Sequence, residues 1–273
     1  MIKNFSVLMS IYYKEKPENL RECMESILQQ TVKPAEIVLV EDGKLTDELY
    51  SEIERYKSRL GEVFKIIVNE ENLGLGLSLA KGLKACKYEL IARMDTDDIC
   101  VKDRFEKQLK MFEENPKLEL AGGQIEEFSD NISNVTGRRV VPTEQKDIYR
   151  YQRKRDAFNH MTVMYKKASV LAAGNYEHCL LMEDSLLWAK MIKLHSTMAN
   201  HPDVLVYART GNGLLERRGG LDYFRKYKKG RKLILKTGTI SCSDYVFTVL
   251  AQLIVCLIPL RLREIVFKKI LRK

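Results

Sequence analysis

Four short apolar runs, at residues 5–11, 36–40, 64–68 and 90–94, alternate with segments whose apolar residues recur at helical spacing. The intervening stripes are Leu20, Cys23, Met24, Ile27 and Leu28, then Leu49, Ile53, Tyr56 and Leu60, then Leu75, Leu79 and Leu83. Runs that are apolar throughout are strands buried on both faces, and helix-length connections between them require parallel β-α-β units. The pattern predicts an α/β fold, a Rossmann-like, mostly parallel sheet flanked by helices on both sides. A chain of 273 residues accommodates one such domain and an appendage.

Past residue 116 the alternation is less regular. Phe105, Leu109 and Phe112 mark a helix that Asn115-Pro116 ends, and strands are predicted over 118–121, 162–165 and 204–207. Gly122-Gly123 reads as a bend, 129–140 as a polar loop, and 145–159 and 184–194 as helices.

In sheets of this kind ligands bind beyond the carboxyl ends of the strands. Glu41-Asp42-Gly43 follows the second run and Asp95-Thr96-Asp97-Asp98 the fourth, so both acidic clusters belong to one edge. Aspartates capping helices in solvated loops would account for either alone; two at one edge favour a site. Crowded carboxylates repel unless a cation lies between them, and Mg²⁺ or Mn²⁺ held by a few carboxylates completes its shell with water and substrate phosphates. The pattern therefore implies a diphosphate ligand whose departing charge a metal neutralises.

Charge is unevenly distributed. Residues 217–273 hold 15 Lys/Arg against 3 Asp/Glu, whereas residues 1–216 hold 31 against 34. The basic character belongs to the tail and points to an anionic surface, membrane phospholipid or nucleic acid. The tail's apolar stretch at 245–260 contains Gln252 and Pro259 and is shorter than a bilayer span, so it is predicted to lie in the interface. Residues 261–273 read as an amphipathic basic helix, whose bland alternative is packing on the domain. The six cysteines form no C-x-x-C and read as reduced thiols of a cytosolic protein, and the amino-terminal apolar run reads as a strand, not a signal peptide.

Ser26-Ile27-Leu28-Gln29-Gln30-Thr31, Glu41-Asp42-Gly43, Asn72-Leu73-Gly74 and Asp95-Thr96-Asp97 stand in the order and spacing of family-2 glycosyltransferases of the A-type fold, which the chain resembles. Downstream, Asn159-His160-Met161-Thr162-Val163-Met164, Met182-Glu183-Asp184 and Leu187-Trp188 resemble members that build bacterial capsule and exopolysaccharide, such as amylovoran-type transferases. Ser10-Ile11-Tyr12-Tyr13-Lys14-Glu15 and Ala92-Arg93-Met94-Asp95 point to the same subgroup.

The resemblance implies an A-type glycosyltransferase fold with a catalytic domain over 1–215, divided into nucleotide-sugar binding (1–123) and acceptor (124–215) regions; the charge and apolar spacing beyond it predict a helical membrane-associating tail over 216–273. It implies that Tyr12 lies beside a uracil, Asp42 accepts from the ring N–H, Asn72 is near base or ribose, Asp95 contacts ribose and Asp97 coordinates the metal, with Asp95 beside it. Ser10, Glu15, Arg93 and Thr96 complete the donor site. Asp184 is implied as the general base that deprotonates an acceptor hydroxyl, with Glu183 as the alternative. The donor is then a UDP-sugar, the acceptor a lipid-linked saccharide, and the location the cytoplasmic face of the cell membrane, held peripherally on its anionic surface.

Ser10 stands where the family often has proline, Glu41 where it has a second aspartate, Lys44 where serine is common and Met161 where proline is common. Tyr207-Ala208-Arg209-Thr210-Gly211 lacks the histidine that many relatives carry there as a metal ligand. His160 reads either as a ligand of acceptor or metal or as a structural hydrogen-bonder, and Trp188 as core before sugar platform. A nucleotidyltransferase would need a Gly-rich loop with a basic residue after the first strand, which Ser10-Ile11-Tyr12-Tyr13 does not supply. A nucleic-acid-binding protein using the tail is the non-enzymatic alternative; the expected partners exclude nucleic acid.

Overall fold

The computed structural model describes residues 4–179, 181–210, 219–259 and 263. Strands β1 (Ser6–Ile11), β2 (Glu36–Asp42), β3 (Phe64–Asn69) and β4 (Leu90–Arg93) pair in parallel in the order β3-β2-β1-β4. Helices α1 (Pro17–Leu28), α2 (Asp47–Leu60) and α3 (Leu75–Ala85) make the crossovers. Alternate residues of β1 serve opposite faces: Val7, Met9 and Ile11 join the core beneath α1 and α2, while Leu8 joins Leu79 and Leu83 of α3. β1, β2 and β4 are covered on both faces and read as apolar runs, while β3, at the edge, is partly exposed at Lys65 and Val68.

The second half departs from the expected pattern. A two-residue strand, β5 (Ile99–Cys100), precedes α4 (Arg104–Glu114), and β6 (Leu120–Phe128) continues well past the strand predicted at 118–121. Gly122 and Gly123 are not a bend but lie inside β6, where a Cβ would collide with Asn200 and Leu205 of the neighbouring strand. The ladder slips beside Gln124, so the glycines mark a bulge and a close approach. The segment read as a polar loop contains β7 (Val135–Arg139), an exposed strand paired antiparallel to β6. Its residues face water, so no apolar alternation announced it.

The predicted helix at 145–159 ends early, as α5 (Gln145–Gln152), and a 3₁₀ turn at His160–Thr162 leads into β8 (Met164–Lys166) and α6 (Lys167–Ala172). Then come α7 (Glu183–Lys193) and β9 (Met198–Arg209), the latter far longer than the run predicted at 204–207. The full order is β3-β2-β1-β4-β8-β6-β9-β5 with β7 beside β6; β8 runs antiparallel to β4 and β6. Because β6 spans residue 123, the segments 1–123 and 124–215, expected as separate regions, share one sheet.

Beyond residue 219, α8 (Gly220–Thr237) and α9 (Cys242–Leu257) form a helical hairpin. Gly238 turns the chain at φ 82°, and Ser241 and Asp244 close a reciprocal capping box at the start of α9. The apolar stretch predicted at 245–260 is thus α9 through Leu257, while Leu260 and the predicted helix at 261–273, apart from Arg263, lie outside the described residues. Among the described residues no helix is long and apolar enough to cross a membrane. The cysteines are all free, and all but Cys242 are buried.

Candidate functional site

The carboxyl ends of β1, β2 and β4 converge on one edge of the sheet, as their parallel registers require. Tyr12 follows β1 with 38% of its surface exposed, an aromatic face open at the mouth of the edge. Ser10 lies at the end of β1 opposite Val40.

Asp42 is buried, and its carboxylate closes the loop that enters α3. Oδ1 accepts from the Leu73 amide at 2.8 Å and from Asn69 Nδ2 at 3.2 Å, and Oδ2 accepts from the Gly74 amide at 3.0 Å. A carboxylate has about four lone-pair sites, so only about one remains for a ligand. The same contacts place a negative charge at the amino end of α3, whose own N-cap, Gly74, has no side chain to supply one. Asn72, itself exposed, donates from Nδ2 to the Asp42 carbonyl at 3.2 Å. Both residues expected at the base are therefore held together by the fold.

Gly43 permits this approach. It has φ +83°, and a Cβ there would lie 2.8 Å from the Asn72 amide nitrogen. Gly43→Ala is expected to lower stability by at least about 2 kcal/mol, from left-handed strain and the backbone collision together. Urea unfolding would measure it, and an unchanged midpoint would refute this account of the turn.

Beyond β4, oxygens of Asp95, Asp97 and Asp98 lie within 4.8 Å of one another. Arg93, 1% exposed, grips Asp95 with both terminal nitrogens, at 2.7 and 2.5 Å. Thr96 Oγ1 donates to Glu15 at 3.2 Å, and Glu15 also accepts from the Lys16 amide and Asn19, which joins the β1 and β4 loops. Burial, then the charges of Asp95 and Glu15, push the Asp97 carboxyl up to about 7. Asp98 is raised well above the usual range by burial and by Asp97 and Asp95. One Asp98 oxygen accepts from the Arg209 amide at 2.8 Å; the other is buried with no hydrogen-bond partner among the described residues.

An orphaned buried oxygen in a cluster of three carboxylates that Arg93 offsets only in part is what a divalent cation would relieve, and an all-oxygen donor set suits Mg²⁺ or Mn²⁺. Asp98 joins Asp95 and Asp97 as a candidate ligand that the sequence reading left without a role. Arg209, at the end of β9, lies in the segment noted for its missing histidine, and the sequence does not foresee its own contacts to the site. Its amide fixes Asp98, its Nε donates to the Asp97 carbonyl at 3.0 Å, and its Nη2 pairs with Glu22. No local signal links it to a loop 111 positions away.

Glu183 and Asp184 open α7. Gly76 of α3 packs directly against Glu183, which brings α7 to the same edge as the donor loops. Burial, then Asp156 and Glu183, push the Asp184 carboxyl up to about 8. Glu183 is raised by burial in the first place, with Asp95 and Asp156 adding to it and Arg93 opposing. Arg93, paired with Asp95, also opposes the rise at Glu183 and Asp184. Asp156, which accepts from Ser185 Oγ, is a third carboxylate at this end that the sequence did not flag.

His160 follows the structural reading: its Nε2 lies 2.9 Å from Tyr176 Oη, its ring packs on Trp188, and burial keeps it neutral. Trp188 is fully buried against Phe158, in the core and not at a sugar-binding surface.

Comparison with known proteins agrees with this architecture. The chain is 40% identical to the amylovoran biosynthesis glycosyltransferase AmsE of Erwinia amylovora, over 97% of this chain and 98% of that one. It is 34% identical to the UDP-Gal:alpha-D-GlcNAc-diphosphoundecaprenol beta-1,3-galactosyltransferase of Escherichia coli, over 98% and 97% of the two chains. Among solved structures, S. aureus TarS in complex with UDP-GlcNAc superposes with a TM-score of 0.65 at 19% identity, covering 92% of this chain and 71% of that one. The mannosyltransferase PcManGT of Pyrobaculum calidifontis, in complex with GDP-Man and Mn²⁺, gives 0.63 at 16% identity, covering 91% and 68%. The fold is the A-type glycosyltransferase fold. Residues 6–172 match the family described as Glycosyl transferase family 2, and the chain belongs to that family of glycosyltransferases.

Proposed function

We propose that the chain transfers a sugar from a UDP-sugar to a hydroxyl of a lipid-linked saccharide, with inversion at the anomeric carbon, in the assembly of a bacterial surface polysaccharide. The observation that carries this reading is the cluster of Asp95, Asp97 and Asp98 oxygens within 4.8 Å of one another at the edge to which the packing of Gly76 on Glu183 also brings the Glu183–Asp184 turn. Its division of labour matches an inverting displacement. The Escherichia coli relative, named for a UDP-sugar donor and a diphosphoundecaprenol acceptor, supports the choice of substrates.

Tyr12, Asp42 and Asn72 receive the uridine; Ser10, Glu15, Arg93, Asp95 and Thr96 line the rest of the donor. Asp95, Asp97 and Asp98 would hold Mg²⁺ or Mn²⁺, which neutralises charge on the leaving diphosphate when bound. Asp184 takes the proton of the acceptor hydroxyl, for which its carboxylate must lie about 3 Å from that oxygen. The oxygen bonds to the anomeric carbon as the bond to the diphosphate breaks, and UDP leaves. A carboxylate with a raised pKa is the stronger base for this step. The acceptor's lipid places the protein peripherally on the inner face of the cell membrane, with the basic tail as its attachment and 1–215 as the catalytic domain.

Incubation with Mn²⁺ and a panel of UDP-, GDP- and dTDP-sugars is expected to release UDP slowly from one donor. No nucleotide release from any of them, together with no metal-dependent nucleotide binding, would overturn the reading.

A further inference from the structure

The two helices of the carboxyl-terminal hairpin expose opposite chemistries. From Arg225 onward every exposed residue within α8 is basic: Arg225, Lys228, Lys229, Lys232 and Lys236. From Val246 onward every exposed residue of α9 is apolar: Val246, Phe247, Leu250, Ala251, Ile254 and Leu257. Each set recurs at helical spacing, so each is a continuous stripe. Phe247, Ile254 and Leu257 expose 58%, 62% and 65% of their surfaces, an unusual concentration of uncovered apolar side chains.

The basic stripe argues against another copy of this chain as the cover, because pairing two such hairpins would bring like charges together. An anionic lipid surface satisfies both stripes at once, acyl chains receiving α9 and phosphate headgroups receiving α8. At 16 residues, α9 is about 24 Å long, too short to cross the hydrocarbon layer but suited to lying along it.

We propose that the hairpin is a lipid-binding surface, α9 embedded in the interface and α8 in the headgroup layer, and that it fixes the orientation of the catalytic domain. This rests on the membrane-located function above and identifies the face that makes the contact. The hairpin is fastened to the site by polar and apolar contacts. Asp244 accepts from Arg153 at 2.7 Å, just past α5, while Arg231 donates to the Arg153 carbonyl at 2.7 Å and to Thr248 at 3.1 Å. Gly230 of α8 packs on Met182, the residue before Glu183-Asp184, and Cys179, Leu186 and Ala189 share an apolar cluster with Ile234 and Ile240. The hairpin is thus packed directly against the turn that carries Glu183 and Asp184.

The test is co-sedimentation of the full chain with vesicles of phosphatidylcholine alone or mixed with phosphatidylglycerol, for the wild type, Leu250→Asn/Ile254→Asn and Lys228→Gln/Lys232→Gln. All four side chains are exposed and lie outside the donor site, so nucleotide release without vesicles serves as a control for folding and for the transferase reading. Retention on anionic vesicles is expected, weakened roughly tenfold per apolar side chain removed and roughly fivefold per charge removed. No retention of the wild type, equal retention on neutral vesicles, or undiminished retention of the variants would overturn the proposal. So would a wild-type dimer that Leu250→Asn/Ile254→Asn converts to monomer, which would assign α9 to self-association. If UDP release occurs but vesicle binding fails, the lipid surface falls and the transferase reading stands.

Discussion

Asp184→Asn is expected to lower sugar transfer to an acceptor by about 10²–10⁴-fold, the usual contribution of a positioned general base, while nucleotide binding is retained. The environment of Asp184 gives this prediction a second readout. Burial, Asp156 and Glu183 push its carboxyl up to about 8, so the deprotonated base is the minor form at neutral pH. The acid limb of kcat/KM for acceptor should therefore rise tenfold per pH unit and level off above about 8. Asp156→Asn removes one of the neighbouring charges and should move that limb to lower pH. For stability the sign is the reverse. A pKa raised above the unfolded value gives a contribution that is full below about pH 4 and is lost as pH rises through about 8. Asp184→Asn should thus gain stability relative to the wild type in alkaline buffer even as it loses transfer. A variant that loses both, or a limb unmoved by Asp156→Asn, would remove Asp184 from the role of base.

The second large effect is expected at Asp97. Asp97→Ala should weaken Mn²⁺ binding by at least about 100-fold, since even substitutions behind a ligand cost 10–100-fold. Titration of free Mn²⁺ by electron paramagnetic resonance reads this without reference to turnover. Thermal unfolding supplies the complement: Mn²⁺ should raise the wild-type melting temperature and leave that of Asp97→Ala nearly unchanged. Without metal the variant should be the more stable of the two, because it relieves a crowded acidic cluster. If Mn²⁺ binds the variant as tightly as the wild type, the metal site lies elsewhere.

The parallel half of the sheet was legible because β1, β2 and β4 are buried on both faces and carry few polar residues, while the edge strand β3, though partly exposed, keeps the apolar Phe64, Ile66, Ile67 and Val68. The positions of Asp42 and Asp95–Asp98 followed from the rule that ligands gather at strand ends. Strand β5 is two residues long and β7 lies in water, so neither leaves a hydrophobic period to detect. Asp98 was visible but indistinguishable from a solvated aspartate until its buried, unpartnered oxygen was seen. Asp156 sits just past α5 in a stretch read as helix, and its importance comes only from Ser185 and Asp184 arriving from another element. Arg209 and Glu22 meet the site through long-range contacts that no spacing rule anticipates.

The packing of Gly230 on Met182 has a bearing on acceptor choice. If the hairpin rests on the bilayer, a base on the turn packed against it stands at a set height above the lipid phosphates. An acceptor anchored in the same bilayer must then lift its reactive hydroxyl to that height, and the number of sugars beneath the hydroxyl decides whether it reaches. The enzyme would choose among glycolipids partly by stature, as a ruler does, with the hairpin as its zero mark.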